Sequence, residues 1–366
     1  MRLLFDALSY GTRPSGTRTR VLGLVPELVG LGLDIGILAG PGWSADEEAR
    51  LDGATFVRVP DVPRGPLSRW WRQARIHRRA QSEYHCDFVV SECLPWPATD
   101  RLIGVVHDLR WRRDTSWAAR ARRRALIDGC ARARQIHVVS PTTAAQLAAV
   151  LPESVDHLRV VPNGVDVARF TAAVGPTDDA ILERRGLRPG YVLCVGHFEP
   201  RKAPDVAIAV RTEMAKRYVD VPLVMVGRGA LLPEEGMCAL KGQFPNQDAG
   251  RVLRDVTAEE LPALYRGAGV VLAPSRDEGF GIAPLEALAC GAPVVASDIP
   301  THRDVLGDAA RLCRVDDVSV FVGAVLSIVE QGADAPLVTG PAQAARWTWK
   351  AAAESFVQAI DEAGRS

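Results

Sequence analysis

Glu278 and Glu286 stand with seven residues between them, and the intervening stretch is Gly279-Phe280-Gly281-Ile-Ala-Pro-Leu. The run ahead of them, through Ala273-Pro-Ser-Arg-Asp, reads as the end of a strand, and a helix opens near Ile282 with Pro284 in its first turn. A strand, a glycine loop and a helix start in that order form a binding device. Gly279 and Gly281 let a ligand come close to the backbone, and the free N–H groups of a helix start suit anionic or hydroxyl-rich groups. Glu278 lies in the loop and Glu286 one turn into the helix, where carboxylates can accept hydrogen bonds from vicinal hydroxyls. Taken singly, Glu278 reads equally as a surface loop acid and Glu286 as an ordinary exposed helix residue. It is their joint arrangement around the glycines that argues for binding.

Three other segments carry chemistry. Gly196-His197-Phe198-Glu199-Pro200-Arg201-Lys202 follows a strand and opens a helix over 203–217. A cation pair at that position is placed for phosphate, Arg201 bidentately and Lys202 as a point charge, unless both are solvated charges ahead of a helix. Ile103-Gly104-Val105-Val106-His107-Asp108-Leu109 puts His107 just after a strand, where a single histidine is most often structural. Gly11-Thr12-Arg13-Pro14-Ser15-Gly16-Thr17 is a strand–glycine–helix turn in which Gly16 is the best candidate for close backbone approach.

Such residues need a scaffold that gathers strand ends. Short β-rich runs alternate with helical patterns along all 366 residues, and near-continuous Val/Ile/Leu runs between helices indicate parallel sheets covered on both faces. The class is α/β with two doubly wound, Rossmann-like units. The small, polar, Gly/Pro-bearing stretch 171–179 reads as a linker. The expected division is a first domain over 1–168, a second over 175–345, and a last helix at about 346–366 that can pack back onto the first. Ligands of such folds bind at the carboxyl ends of the strands, and all four motifs sit there.

Together with VVPNGVDVARF at 160–170, YVLCVGHFEPRKAPDVAI at 191–208 and the run from Leu261 to Ala310, these motifs resemble glycosyltransferase family 4, the retaining nucleotide-sugar-dependent enzymes of GT-B fold. The resemblance covers most of the chain and is denser in its second half. It implies two Rossmann-like domains facing across a deep cleft, with the acceptor in the first and the nucleotide-sugar donor in the second. It implies that Lys202, with Arg201, contacts the donor diphosphate and that the Gly16 loop closes over its phosphates. His107 would lie near the transferred sugar, and Glu278, Gly279, Phe280, Gly281 and Glu286 would hold the donor. Many members carry an arginine where this chain has His197, so phosphate binding rests more on Arg201 and Lys202. Contacts near Gly227, Arg228 and Val256 would choose the base, and the HFEPRK form with THRDVLGDAA leans to GDP-mannose. The implied reaction moves a hexosyl unit to a hydroxyl of a glycan, glycolipid or natural-product acceptor. The leaving diphosphate is stabilised by cations and helix ends and takes the acceptor's proton. No His/Asp/Cys cluster has metal-ligand spacing, so no metal cofactor is required.

The net charge of zero hides an asymmetry. Residues 1–170 hold 24 arginines and no lysine against 18 acids, a net of +6, and the remainder carries −6. With 40 arginines to 4 lysines overall, a GC-rich coding bias and a solvated surface explain part of this. The stretch Arg69-Trp70-Trp71-Arg72, continuing through Arg75 to Arg79, is also a candidate face for an anionic membrane or acceptor. The alternative there is core packing of the tryptophans. No apolar run spans a bilayer, the N-terminus is too short in apolar residues for a signal peptide, and seven cysteines without a CxxC pair indicate reduced thiols. A cytoplasmic protein, peripheral at most on the inner membrane face, is expected. Within GT-B folds an epimerase or phosphorylase is the alternative. A Rossmann oxidoreductase would want GxGxxG where residues 11–16 read GTRPSG. A nucleic-acid binder would want a recognised module, which the chain lacks.

Overall fold

The buried Val/Ile/Leu runs become two parallel sheets. A computed structural model describes residues 1–8, 15–40, 42–59, 76–94, 96–109, 116–217, 219, 221–228, 250–331 and 339–365. The first sheet holds β1 (Arg2–Ala7), β2 (Asp34–Ala39), β3 (Thr55–Arg58), β4 (Phe88–Ser91), β5 (Leu102–Val106), β6 (Gln135–Val138) and β7 (Leu158–Val160), in the spatial order β3-β2-β1-β4-β5-β6-β7. The second holds β8 (Tyr191–Val195), β9 (Leu223–Val226), β10 (Gly250–Leu253), β11 (Ala268–Ala273), β12 (Val294–Ser297) and β13 (Arg311–Cys313), ordered β10-β9-β8-β11-β12-β13. In each sheet the strand order reverses beside the first strand. Phe5 pairs with both Ile37 and Val90, and Leu193 with both Val224 and Val271. That reversal, between β1 and β4 and between β8 and β11, is where loops part and leave room for a ligand.

The described chain divides into unit 1, Met1–Gly164 with Trp349–Ser366, and unit 2, Val165–Thr348. The division falls ahead of the stretch 171–179, and the final helix, Trp349–Arg365, belongs to unit 1. Its Phe356 packs 6.1 Å from Phe5 and 4.9 Å from His137, and Ala359 O accepts from Gln135 Nε2 at 2.7 Å. A Cβ on Gly23 of the helix Gly16–Gly30 would run into the Trp349 indole, so a glycine is what lets the two helices close on each other.

Among the described α-helices and strands, five had no clear pattern in the sequence: helices Ala45–Ala49, Asp178–Arg184, Pro300–Leu306 and Thr339–Ala344, and edge strand β10. Each is short, so local signals are weak. The helix Asp178–Arg184 starts inside the expected linker because tertiary contacts hold it. The Arg266 guanidinium grips Asp178 at 2.6 and 2.7 Å, and Gly175 N donates to the same carboxylate at 3.0 Å. Among the described residues no helix is long and apolar enough to cross a membrane, and the six cysteines described are free thiols.

Candidate active site

In unit 2 the site grows from the ends of β8 and β11, neighbours at the switch point. After β8 the chain runs through a short 3-10 turn, Pro200–Lys202, and reaches the helix Pro204–Lys216 through Ala203 in the left-handed conformation, φ 49° and ψ 51°. For a residue with a Cβ this costs about 1–2 kcal/mol, and burial of Ala203 holds it there. The turn aims Arg201 and Lys202 at the loop after β11. Lys202 Nζ pairs with Glu278 Oε1, Arg201 Nη1 lies 3.1 Å from Glu278 Oε2, and Arg201 Nη2 lies 2.7 Å from Glu199 Oε1. Ser275 Oγ donates to Glu278 Oε1 at 2.9 Å, and Thr301 Oγ1 to the Glu278 carbonyl at 2.7 Å.

Glu278 is therefore no surface acid. Its side chain is 7% exposed, against 20% and 21% for the two cations in front of it. Burial alone would raise its pKa; Lys202 and then Arg201 overcome that and hold it at about 2. The two motifs that sequence separates by some seventy residues are one electrostatic cluster.

Gly281, at φ 89°, is the N-cap of the helix Ile282–Ala289 and, being glycine, supplies no side-chain cap to its first turn. Gly279 and Gly281 are in the loop as expected. Phe280 turns its ring inward, edge-on to Trp347 at 5.5 Å and 83°, so its side chain serves the core. Glu286 is buried too, not an exposed helix residue. Tyr265 donates to its Oε2 at 3.1 Å, and burial raises the carboxyl to about 7, with the tyrosine bond acting against it. The two glutamates of the motif are thus in opposite states near neutrality, one firmly ionised and one poised.

The candidate base contacts come from neighbouring loops. Gly227 N donates to Leu253 O at 3.0 Å, and Arg228 Nε to Arg254 O at 2.6 Å, with Arg228 exposed and Val256 half-buried. Gly227 has a packing reason of its own: at φ 152° a Cβ would land on the Gly196 carbonyl oxygen. His197 is exposed.

Unit 1 gathers a second cluster at the carboxyl end of its sheet. Gly16 begins its helix behind Ser15, whose hydroxyl accepts from Arg18 N at 3.2 Å, and the space beside Gly16 is open. His107, just past β5, places Nε2 3.2 Å from Glu92 Oε2, just past β4. Glu92 Oε1 is 3.3 Å from Arg20 Nε, and Arg20 Nη1 donates to Asn163 Oδ1 at 2.8 Å and Pro162 O at 2.9 Å. Beside it, His77 Nε2 is 3.4 Å from Asp6 Oδ2, which also accepts from Ser91 Oγ at 2.9 Å. Sequence reasoning missed Glu92, Arg20, Asn163, Ser275 and Tyr265. A signal existed for two: Glu92 follows a strand directly, and Arg20 interrupts the apolar face Val21, Leu24, Val25, Leu28 of its helix. Arg69, Trp70, Trp71, Arg72 and Arg75 lie outside the described residues. Among the described residues no group of three or more His, Cys, Asp or Glu is arranged to hold a metal ion.

Two family models divide the sequence much as the structure does. Glycosyltransferase Family 4 matches residues 14–169, and Glycosyl transferases group 1 matches residues 182–346. The chain belongs to glycosyltransferase family 4. This family member is 33% identical over 229 residues to a D-inositol 3-phosphate glycosyltransferase of Acidothermus cellulolyticus, covering 59% of the chain and 50% of that relative. It is 36% identical over 174 residues to a phosphatidyl-myo-inositol mannosyltransferase of Mycolicibacterium smegmatis, covering 46% of the chain and 42% of the relative. The chain thus spans about half the length of the curated relatives it matches. Among solved structures, Anabaena HepE in complex with UDP and glucose superposes with a TM-score of 0.74 at 15% identity, over 99% of this chain and 100% of that one. The fold is GT-B, built from two Rossmann-like units.

Proposed function

We propose that this family member transfers a hexosyl unit, with retention, from a nucleotide-diphosphate sugar to a hydroxyl of a phosphate-bearing polyol or its lipid-linked form. The observation that carries the reading is the cluster of Lys202, Arg201 and Glu278 at the switch point of the second sheet, beside the glycine-capped N-terminus of the helix Ile282–Ala289. Two cations held in place by a buried carboxylate are organised before any ligand arrives. They offset negative charge as it grows on a departing diphosphate, the kind of electrostatic help that costs no reorganisation during the reaction. This leaving-group stabilisation by side chains and backbone is proposed to need no metal ion. The acceptor hydroxyl attacks the face that the diphosphate leaves, and a phosphate oxygen takes its proton.

Glu286 is assigned to ribose hydroxyls, Glu278, Gly279 and Gly281 to the donor sugar and phosphates, Gly16 to phosphate, and His107 to a hydroxyl of the reacting partners. Gly227, Arg228 and Val256 surround the proposed base position. GDP-mannose is the favoured donor; the mannosyltransferase among the relatives supports it. HepE binds UDP, so UDP-sugars are the competing class. The inositol-phosphate names of both relatives and the +6 charge of residues 1–170 support an anionic acceptor. The basic stretch around Arg69–Arg79 is proposed to meet that acceptor or an anionic membrane, with a cytoplasmic site of action.

A thermal-shift panel of GDP, UDP and ADP, followed by transfer assays with the matching sugars, tests this. A nucleotide bound selectively raises the unfolding temperature by mass action. Stabilisation by none of the three, or turnover with inverted product, defeats the reading.

A further inference from the structure

The His107 ring meets a carboxylate that is better buried than itself. The Glu92 side chain is 1% exposed and that of His107 18%. Arg20, with a side chain fully buried, gives Glu92 a permanent countercharge at 3.3 Å and is itself pinned by Asn163 and Pro162. An ionised carboxylate only accepts hydrogen bonds. The nitrogen facing it must therefore carry the proton, and that nitrogen is Nε2. A neutral ring so held has its lone pair on Nδ1, and Nδ1 has no partner among the described residues.

We propose that Glu92 is the positioning residue of His107, fixing the Nε2–H tautomer so that Nδ1 accepts a hydrogen bond from a hydroxyl of the reacting sugar or acceptor. The proposal rests on the assignment of His107 above and adds the groups that make it an acceptor. Arg20 sets the carboxylate, the carboxylate sets the ring, and the ring presents one lone pair in one direction. A hydrogen-bond chain of this kind, carboxylate behind histidine, determines both orientation and tautomer.

The wild-type protein supplies the first test. With ¹⁵N-labelled histidine, the His107 resonances, identified by their loss in His107→Gln, should report a proton on Nε2 at neutral pH. A proton on Nδ1 overturns the proposal without any Glu92 variant. The second test is Glu92→Gln, whose amide can donate to Nε2 and so permits the other tautomer. The expected result is a fall in kcat of at least about tenfold, with an unchanged thermal unfolding midpoint as a check that unit 1 is folded. Glu92→Asp should recover part of the loss. If Glu92 acts through His107, adding Glu92→Gln to His107→Gln should cost nothing further; additive losses overturn the coupling. A rise in KM confined to the sugar donor, or to the acceptor, identifies which hydroxyl is held. Wild-type turnover by His107→Gln alone would defeat the assignment of His107. An active role for His107 with an unaltered tautomer in Glu92→Gln would defeat the positioning role alone.

Discussion

The Tyr265 hydroxyl donates to Glu286 Oε2 across 3.1 Å, both residues buried in unit 2. The donor is held in turn: burial, then the charge of Glu286, raises the Tyr265 phenol well above its ordinary value, so it stays protonated. Tyr265→Phe keeps the ring, including its edge contact with Phe170 at 6.1 Å, and removes only the hydroxyl. The expected result is nucleoside diphosphate affinity weaker by about fivefold, the worth of roughly 1 kcal/mol for one hydrogen bond. Calorimetry checks it, and an unchanged affinity would remove Glu286 from the ribose site.

The two motif glutamates should affect stability with opposite signs. Glu286 has its folded value raised from 4.5 to about 7, so the folded state keeps a proton that the unfolded chain has released. Stability then declines as pH rises from 4.5 to 7, by on the order of 3 kcal/mol. Glu286→Gln should remove that decline. Glu278 is lowered from 4.5 to about 2, so its contribution is full above pH 4.5 and disappears as pH falls toward 2. Glu278→Gln should flatten that acid limb. Urea unfolding at stepped pH, comparing each variant with wild type, measures both slopes.

Lys202→Ala should lower kcat by about 10²–10³, the usual cost of losing one preorganised electrostatic group. The same variant leaves Glu278 with only Arg201 as a cation partner among those described, so the acid unfolding midpoint should move to higher pH. A variant with wild-type kcat/KM would sink the assignment of Lys202 to the diphosphate.

Gly227→Ala should destabilise unit 2 by several kcal/mol, the outcome expected of a Cβ forced onto backbone at a strained φ. Its Cβ would meet the Gly196 carbonyl, which no rotamer change can move aside. Thermal unfolding provides the measurement, and a shift of a degree or less would mean that the strand ends rearrange.

The architecture was legible from alternation alone, because strands buried on both faces of a parallel sheet must be apolar throughout, as β5, buried at all five positions, is. The motif residues were legible because glycines and charges just after strands have few structural uses. What escaped was partnership. Nothing local to Glu278 reveals that Lys202 neutralises it, and nothing in LPALYRG shows that Tyr265 turns to Glu286. The first pairing is created by β8 and β11 lying side by side, a relation between residues 76 positions apart; the second joins the helices Leu261–Gly267 and Ile282–Ala289 on either side of β11 in the chain, 21 positions apart. Arg20 escaped for the same reason: its partners, Glu92 and Asn163, are 72 and 143 residues away.

Trp349→Ala should destabilise unit 1 by about 3–5 kcal/mol through the cavity left beside Gly23. Nucleoside diphosphate affinity, proposed to rest mainly on Arg201, Lys202 and Glu286 of unit 2, should fall far less than stability does. Combined calorimetric unfolding and titration separates the two effects, and a parallel loss of affinity would contradict the assignment of the nucleotide mainly to unit 2.

The return of Trp349–Arg365 to unit 1 also bears on synthesis. The chain leaves unit 1 at Gly164 and comes back at Trp349, after 184 intervening residues. At translation rates of about 5–20 residues per second, the emerging first unit would wait roughly 10–40 s for the helix that covers Phe5 and His137. Throughout that interval unit 2 can fold in one stretch, since Val165–Thr348 is continuous. The later-encoded unit is thus free to finish first, and the face of Phe5 and His137 stays uncovered until the last helix arrives.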